Sequence, residues 1–367
     1  MNVLNPATRV RGLKCFLCGR MYDFQDIVFR CECGGSLVVA YDYSAIRKVL
    51  NEEWKDRCVE HWKYWPFYPV DPRNKVSLGE GGTPLLKDEV LLKNETVNHT
   101  GSFKDRGSTV EITRALELGA SEVVCASTGN MGASVAVYSR RANLKCKIFV
   151  PDFAPSHKLK QIESTGVEVI RVKGSYTDAL KRSVEYYEKY GSYLMGDYPY
   201  RGEGEKSIGF EIAEQLDWKP PQYLFVPIGN GTLISSCYKA FVEMKETGLI
   251  RKMPKFVGVQ ARNCNPVVDA WERDLDRVEP QKDTRTVATA INCPDPLDGN
   301  KALYALKNSD GIGLCVSEDE ILEAKKILGR KGFYVEEAGA VAYAGWLKIR
   351  DEVKSSLCIL TGHGLKS

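Results

Sequence analysis

Four short runs hold side chains whose types and spacing suit chemistry on a small molecule. In TGSFKDRGS, Lys104 carries a primary amine that attacks an aldehyde once it is unprotonated. Ser102 is expected to cap a helix beginning at Phe103, with Asp105 at the third position completing a capping-box-like start. Lys104 then falls in the first turn, where the positive end of the helix and the neighbouring Arg106 both disfavour an ammonium and free the amine. The plain alternative is an exposed surface lysine. In CASTGNMGAS, Ser127 and Thr128 lead to Asn130, whose amide can hydrogen-bond a phenolic or carbonyl oxygen on a ring; the same run also reads as a helix cap.

In PIGNGTLIS, Gly229, Asn230, Gly231 and Thr232 precede a helical pattern, where consecutive N–H groups cradle phosphate and glycine lets the anion come close. No Gly-Lys-Thr follows, so this is no Walker loop, and the third glycine and downstream acid of a dinucleotide fingerprint are missing. In CILTGHGLKS, Thr361 ends a strand and offers a hydroxyl to a ring nitrogen, while His363 reads as a structural histidine.

A different chemistry stands near the N-terminus: Cys15-x-x-Cys18, twelve residues, then Cys31-x-Cys33. Four thiolates complete a tetrahedral zinc site, and Gly19 and Gly34-Gly35 follow the pairs where tight turns need positive φ. This reads as a zinc ribbon with a structural Zn2+, or as reduced thiols in a ribbon that has lost its metal.

The elements that must position these runs alternate. EVVCAS, KIFVP, VEVIRV, YLFV and KFVGVQ are short β-branched strands, separated by amphipathic stretches such as NMGASVAVYSRRA and TDALKRSVEYYEKY. That order makes βαβ units around a largely parallel sheet, an α/β fold whose ligands gather at the carboxyl ends of strands. Residues 1–43 read as the ribbon segment, 44–78 as a linker packed on the next domain, and 79–367 as the catalytic body, with a smaller mobile part near 120–196.

With 367 residues and 43% apolar content the chain buries a large core. Lysine plus arginine (51) balances aspartate plus glutamate (48), which argues against nucleic acid or an anionic membrane as partner and favours a small molecule. No apolar stretch reaches a membrane span, MNVLNPATRVRGLKC lacks the apolar core of a secretory signal, and eight further cysteines lie scattered. The expected compartment is the cytoplasm.

Taken in order, LGEGGTPLL, TGSFKDRG, CASTGNMGAS, PYRGEGEKSIGFEIAEQL, VPIGNGT, TVATAI and TGHGLKS resemble the threonine synthases. These are enzymes dependent on pyridoxal 5'-phosphate (PLP), of fold type II and tryptophan synthase β-like, grouped with serine/threonine dehydratases and cysteine synthase. The resemblance covers nearly all of residues 79–367. It implies two open parallel-sheet α/β subdomains and a homodimer, with PLP held covalently by Lys104, packed beside Phe103, and met by Asn130 at the ring hydroxyl. Gly229, Asn230, Gly231 and Thr232 then hold the cofactor phosphate, and Thr361 faces the ring nitrogen. Ser102, Ser127, Thr128, Met131, Arg201 and Lys206 fall on the substrate side, and the implied reaction converts O-phosphohomoserine and water to threonine and phosphate.

Departures cluster at the substrate phosphate. Met131 stands where these enzymes carry threonine, Met195-Gly196-Asp197 replaces an Asn-Ser pair ahead of Pro199-Tyr200-Arg201, and the glycine turn is shortened. Losing such donors weakens recognition of a phosphate ester. The alternative is a sister PLP enzyme with a non-phosphohomoserine substrate, such as a threonine/serine ammonia-lyase or a β-replacement enzyme. A non-catalytic scaffold whose ribbon binds nucleic acid is disfavoured by the near-neutral charge and by Lys104.

Overall fold

The computed structural model describes residues 5–366, which fall into two compact units. The first runs to Glu80 and resumes over Lys104–Gly204; the second comprises Gly81–Phe103 and Glu205 onward.

The first unit is built on four parallel strands in the order Glu168–Val172, Lys145–Pro151, Glu122–Ala126, Tyr193–Met195. Helices Asn130–Arg141, Ser156–Glu163 and Tyr176–Tyr190 return the chain between them. The last of these starts at a Ser175/Asp178 capping box and stops at Gly191, as the polar flanks of its apolar pattern require. Val124, Ala126, Phe149, Ala179 and Leu194 form the apolar centre. Strands covered on both faces read as nearly continuous apolar runs, which is why EVVCA and KIFVP stand out in the sequence.

The cysteine-bearing segment forms a small antiparallel sheet, Met21–Tyr22, Val10–Cys15, Leu37–Tyr41, within the same unit. Gly19 and Gly34 take positive φ as expected of knuckle turns, whereas Gly35 does not. Two aromatic side chains fasten it: the Arg114 guanidinium lies 3.7 Å over the Phe24 ring, and Phe29 packs against Tyr187, Tyr193 and Tyr198. The proline- and aromatic-rich stretch His61–Phe67 is a buried 3-10 segment; Trp62 Nε1 donates to Glu80 Oε1 at 2.9 Å, and Tyr138 Oη to Glu80 Oε2 at 2.7 Å.

The second unit holds six strands in the order Ile312–Val316, Lys255–Ala261, Tyr223–Pro227, Ser356–Leu360, Leu91–Asn94, Leu85–Lys87, parallel except for the last. Its core joins Leu92, Phe225, Val257, Val259 and Leu360 to Ala340, Val341 and Tyr343 of the helix Glu337–Ile349. LGEGGTPLL is tied down here through Glu211, which accepts from Gly82 N–H and pairs with fully buried Lys93 at 2.8 Å.

Candidate active site

In the first unit the helix Lys104–Glu117 opens on Lys104 itself. Ser102 does not cap it. That residue bridges to Gly362 within the second unit, and its buried Oγ has no hydrogen-bond partner among the described residues. The capping box was a local inference, and the long-range bridge overrides it. Asp105 instead accepts from Ser134 Oγ at 2.6 Å, a bond that ties this helix to Asn130–Arg141.

The charge around the amine also differs from expectation. Lys104 Nζ lies 3.6 Å from Asp197 Oδ1, with the two side chains 16% and 4% exposed. A carboxylate at that distance favours an ammonium, opposing the helix terminus and Arg106. Sequence reasoning missed Asp197 because its strand, Tyr193–Met195, has three residues and no readable alternation. The available signal was topological: that strand pairs in parallel with Glu122–Ala126, Cys125 opposite Met195, so Gly196-Asp197 and Ser127-Thr128 leave neighbouring carboxyl ends.

Asn130 begins its helix, behind Gly129 as N-cap, and Ser127 Oγ accepts from Gly129 N–H at 3.3 Å. The run therefore does supply the helix cap, at Gly129, with Asn130 the first helical residue. Met131 follows at half-buried depth, whereas Met195 is buried in its strand.

Arg201 and Lys206, expected as cations open to a substrate phosphate, are both fully buried against carboxylates: Arg201 Nη2 lies 2.8 Å from Glu111 Oε2, and Lys206 Nζ 2.8 Å from Glu243 Oε2. Arg201 further donates to Gly196 O at 3.1 Å and to Lys104 O at 3.3 Å. The reason is helical geometry. Glu111 sits two turns beyond Lys104, and Glu243 lies on the helix Thr232–Thr247; neither pairing shows in a local reading. Burial pushes the Glu111 carboxyl up to about 7, against the pull of Arg201 and the Gly196 N–H and with added repulsion from Asp197.

In the second unit the strands Tyr223–Pro227 and Ser356–Leu360 are parallel neighbours, so Gly229–Thr232 and Thr361 also leave adjacent carboxyl ends. Gly231 caps the 16-residue helix Thr232–Thr247 with φ 90° and no side-chain cap bond, leaving that helix's first amides to a ligand. A Cβ at Gly231 would meet the Asp298 carbonyl oxygen at 2.7 Å, and one at Gly229 would meet Ile291 of TVATAI at 3.1 Å. Thr232 Oγ1 is buried with no partner among the described residues. An orphaned hydroxyl beside uncapped amides in a close-walled turn fits the phosphate of PLP. The Asn230 side-chain oxygen is engaged elsewhere, accepting from Cys293 Sγ at 2.8 Å and Leu297 N–H at 3.3 Å.

Thr361 O accepts from Phe103 N–H at 3.1 Å, which holds Phe103 beside that strand end within the second unit. His363 is structural, as expected: its Nδ1 accepts from Leu365 N–H and its ring meets Tyr334 edge-on.

The sulfurs of Cys15, Cys18, Cys31 and Cys33 all lie within 4.8 Å of one another, a cluster able to hold a structural metal. Cys15–Cys33 and Cys18–Cys31 are each 3.5 Å apart, near the roughly 3.8 Å of a tetrahedral site with metal–sulfur bonds of about 2.3 Å.

A family model described as pyridoxal-phosphate dependent enzyme matches residues 76–362. The chain is 42% identical to a threonine synthase of Methanocaldococcus jannaschii, over 96% of this chain and 92% of that one. A threonine synthase of Methanosarcina acetivorans is 40% identical over the same shares. Among solved structures, maize serine racemase superposes with a TM-score of 0.67 at 20% identity, over 77% of this chain and 88% of that one, a likeness of fold. The chain belongs to the pyridoxal-phosphate dependent enzyme family, in its threonine synthase group.

Proposed function

We propose that this chain binds PLP through Lys104 and converts O-phosphohomoserine and water to threonine and phosphate. The observation that carries the reading is the alignment, over nearly its whole length, with relatives that bear the name threonine synthase. Lys104 Nζ holds the cofactor and, once released by the substrate amine, removes the α proton and later returns a proton to carbon. The N–H groups of Gly229–Thr232 and the Thr232 hydroxyl hold the cofactor phosphate, Asn130 meets the ring hydroxyl, Thr361 the ring nitrogen, and Phe103 packs beside the ring. PLP supplies, when bound, the electron sink that lets a proton leave carbon. Ser102, Ser127, Thr128 and Met131 border the substrate. A proton leaves Cβ as phosphate leaves Cγ, a proton is then gained at Cγ, and water adds its hydroxyl at Cβ.

One observation favours a second reading, a sister lyase for an amino acid without a γ-phosphate: Arg201 and Lys206 are already matched by Glu111 and Glu243. Incubation with O-phosphohomoserine separates the two. Release of inorganic phosphate with threonine is expected; ammonia and a 2-oxo acid from threonine or serine, with no phosphate released, would replace the first reading by the second.

We further place the protein in the cytoplasm as a homodimer with zinc in its ribbon. No disulfide joins any of the twelve cysteines, which suits a reducing compartment, and among the described residues no helix is long and apolar enough to cross a membrane. Light scattering of the purified protein tests the dimer.

A further inference from the structure

Lys104 and Asp197 reach one another from separate pieces of the first unit, a helix start and a strand end, and meet at 3.6 Å almost out of solvent. Charges so placed interact far more strongly than on a surface. The charged and titratable groups near the pair include Glu111 and Arg106 from the Lys104 helix, Arg201 from the helix Pro199–Glu205, Cys125 from the strand Glu122–Ala126 and Tyr198 from the turn itself. Arg201 is clamped to Glu111 at 2.8 Å, and its Nη1 holds the Lys104 carbonyl at 3.3 Å. Backbone and side chain of Lys104 are thus gripped from the same short segment, residues 197–201.

We propose that Asp197 is a positioning residue for the reacting amine: its carboxylate holds Nζ in place and favours the protonated Lys104 nitrogen, both at rest and while it carries the proton taken from the substrate carbon. The inference rests on reading Lys104 as the cofactor lysine. The protons balance: one leaves Cα, resides on Nζ beside Asp197 Oδ1, and is returned from Nζ to carbon, so Asp197 itself gains and loses nothing.

The test is a pH titration of the PLP-loaded protein, followed by the visible absorption of the linked cofactor, which changes when the Lys104 nitrogen loses its proton. Asp197→Asn and Asp197→Ser are expected to lower the midpoint of that change by about one unit or more, whereas Asp197→Glu, which keeps the charge, restores most of it. Thermal unfolding identifies which neutral variant is folded, and either suffices. An unchanged midpoint in a folded, PLP-loaded neutral variant overturns the proposal. If borohydride leaves no pyridoxyl group on Lys104 of the parent protein, the reading of that lysine fails instead. The pair is then probed in the ligand-free protein by the rate of Lys104 acylation against pH, where the same fall is expected on removing the carboxylate and its absence again overturns the proposal.

Discussion

Arg201 and Glu111 form an ion pair at 2.8 Å from which solvent is wholly excluded, and the same guanidinium fastens the carbonyls of Gly196 and Lys104. Removing one partner strands the other charge in a dry interior. Glu111→Ala is therefore expected to lower the free energy of unfolding by about 3–5 kcal/mol, read from urea denaturation. The double replacement Arg201→Met with Glu111→Leu should recover most of that loss, since well-packed apolar groups often match a buried pair. A single variant as stable as the parent would mean that the pair is broken in solution.

Glu111 also makes a signed prediction about pH. Burial raises its folded-state value to about 7, above the ordinary 4.5, so the folded chain binds this proton more tightly than the unfolded chain does. The resulting stabilisation is fully present below about pH 4.5 and is lost as pH rises through about 7. Glu111→Gln keeps the shape and removes the titration. The stability of the parent relative to Glu111→Gln should accordingly fall between those limits and level off above them; a difference that rises with pH would mean that Arg201 outweighs burial.

The glycine turn, the strand ends and the lysine run were legible because their signals are local: glycines before an apolar helix pattern, β-branched runs, an amine at a helix start. What stayed hidden was pairing across the chain. Ser102 reads as a cap until Gly362 is brought beside it, and Arg201 and Lys206 read as open cations until helices present Glu111 and Glu243. Asp197 was visible as a residue type but not as a neighbour of Lys104, because parallel strand order is set by tertiary packing rather than by either segment's own sequence.

The orphaned hydroxyl of Thr232 separates ligand binding from stability. Thr232→Val keeps the side-chain shape and removes a buried oxygen that lacks a partner among the described residues, so the PLP-free protein should melt at the same temperature or slightly higher. Hydrogen bonds to a charged group are worth about 1.5–3 kcal/mol, so its PLP affinity should fall roughly ten- to hundredfold in a spectroscopic titration. Gly231→Ala should act differently. Its positive φ and the Asp298 oxygen at 2.7 Å strain the apo fold itself, by about 1–3 kcal/mol. Unaltered affinity in Thr232→Val would move the phosphate away from this turn.

The cysteine cluster links a metal to the lysine pair through ring contacts that Phe29 makes with Tyr198 and Phe24 with Tyr200. Cys18 and Cys33 are exposed, so a strong chelator can reach the ion, and a ribbon of so few strands has little apolar core to hold it once the metal leaves. Metal analysis should find one zinc per chain. Chelation, or Cys31→Ser, should lower the melting temperature by at least about 4 °C, the effect of a kcal/mol or two in a domain of this size. The loss should also travel inward. Phe29, carried by the ribbon, packs with its ring centroid 5.1 Å from that of Tyr198, the residue directly after Asp197. Releasing that contact loosens the segment that holds Lys104 by its carbonyl and its amine, so amide exchange over residues 195–201 should quicken on chelation. Exchange that stays slow there while the ribbon opens would confine the metal's role to the ribbon.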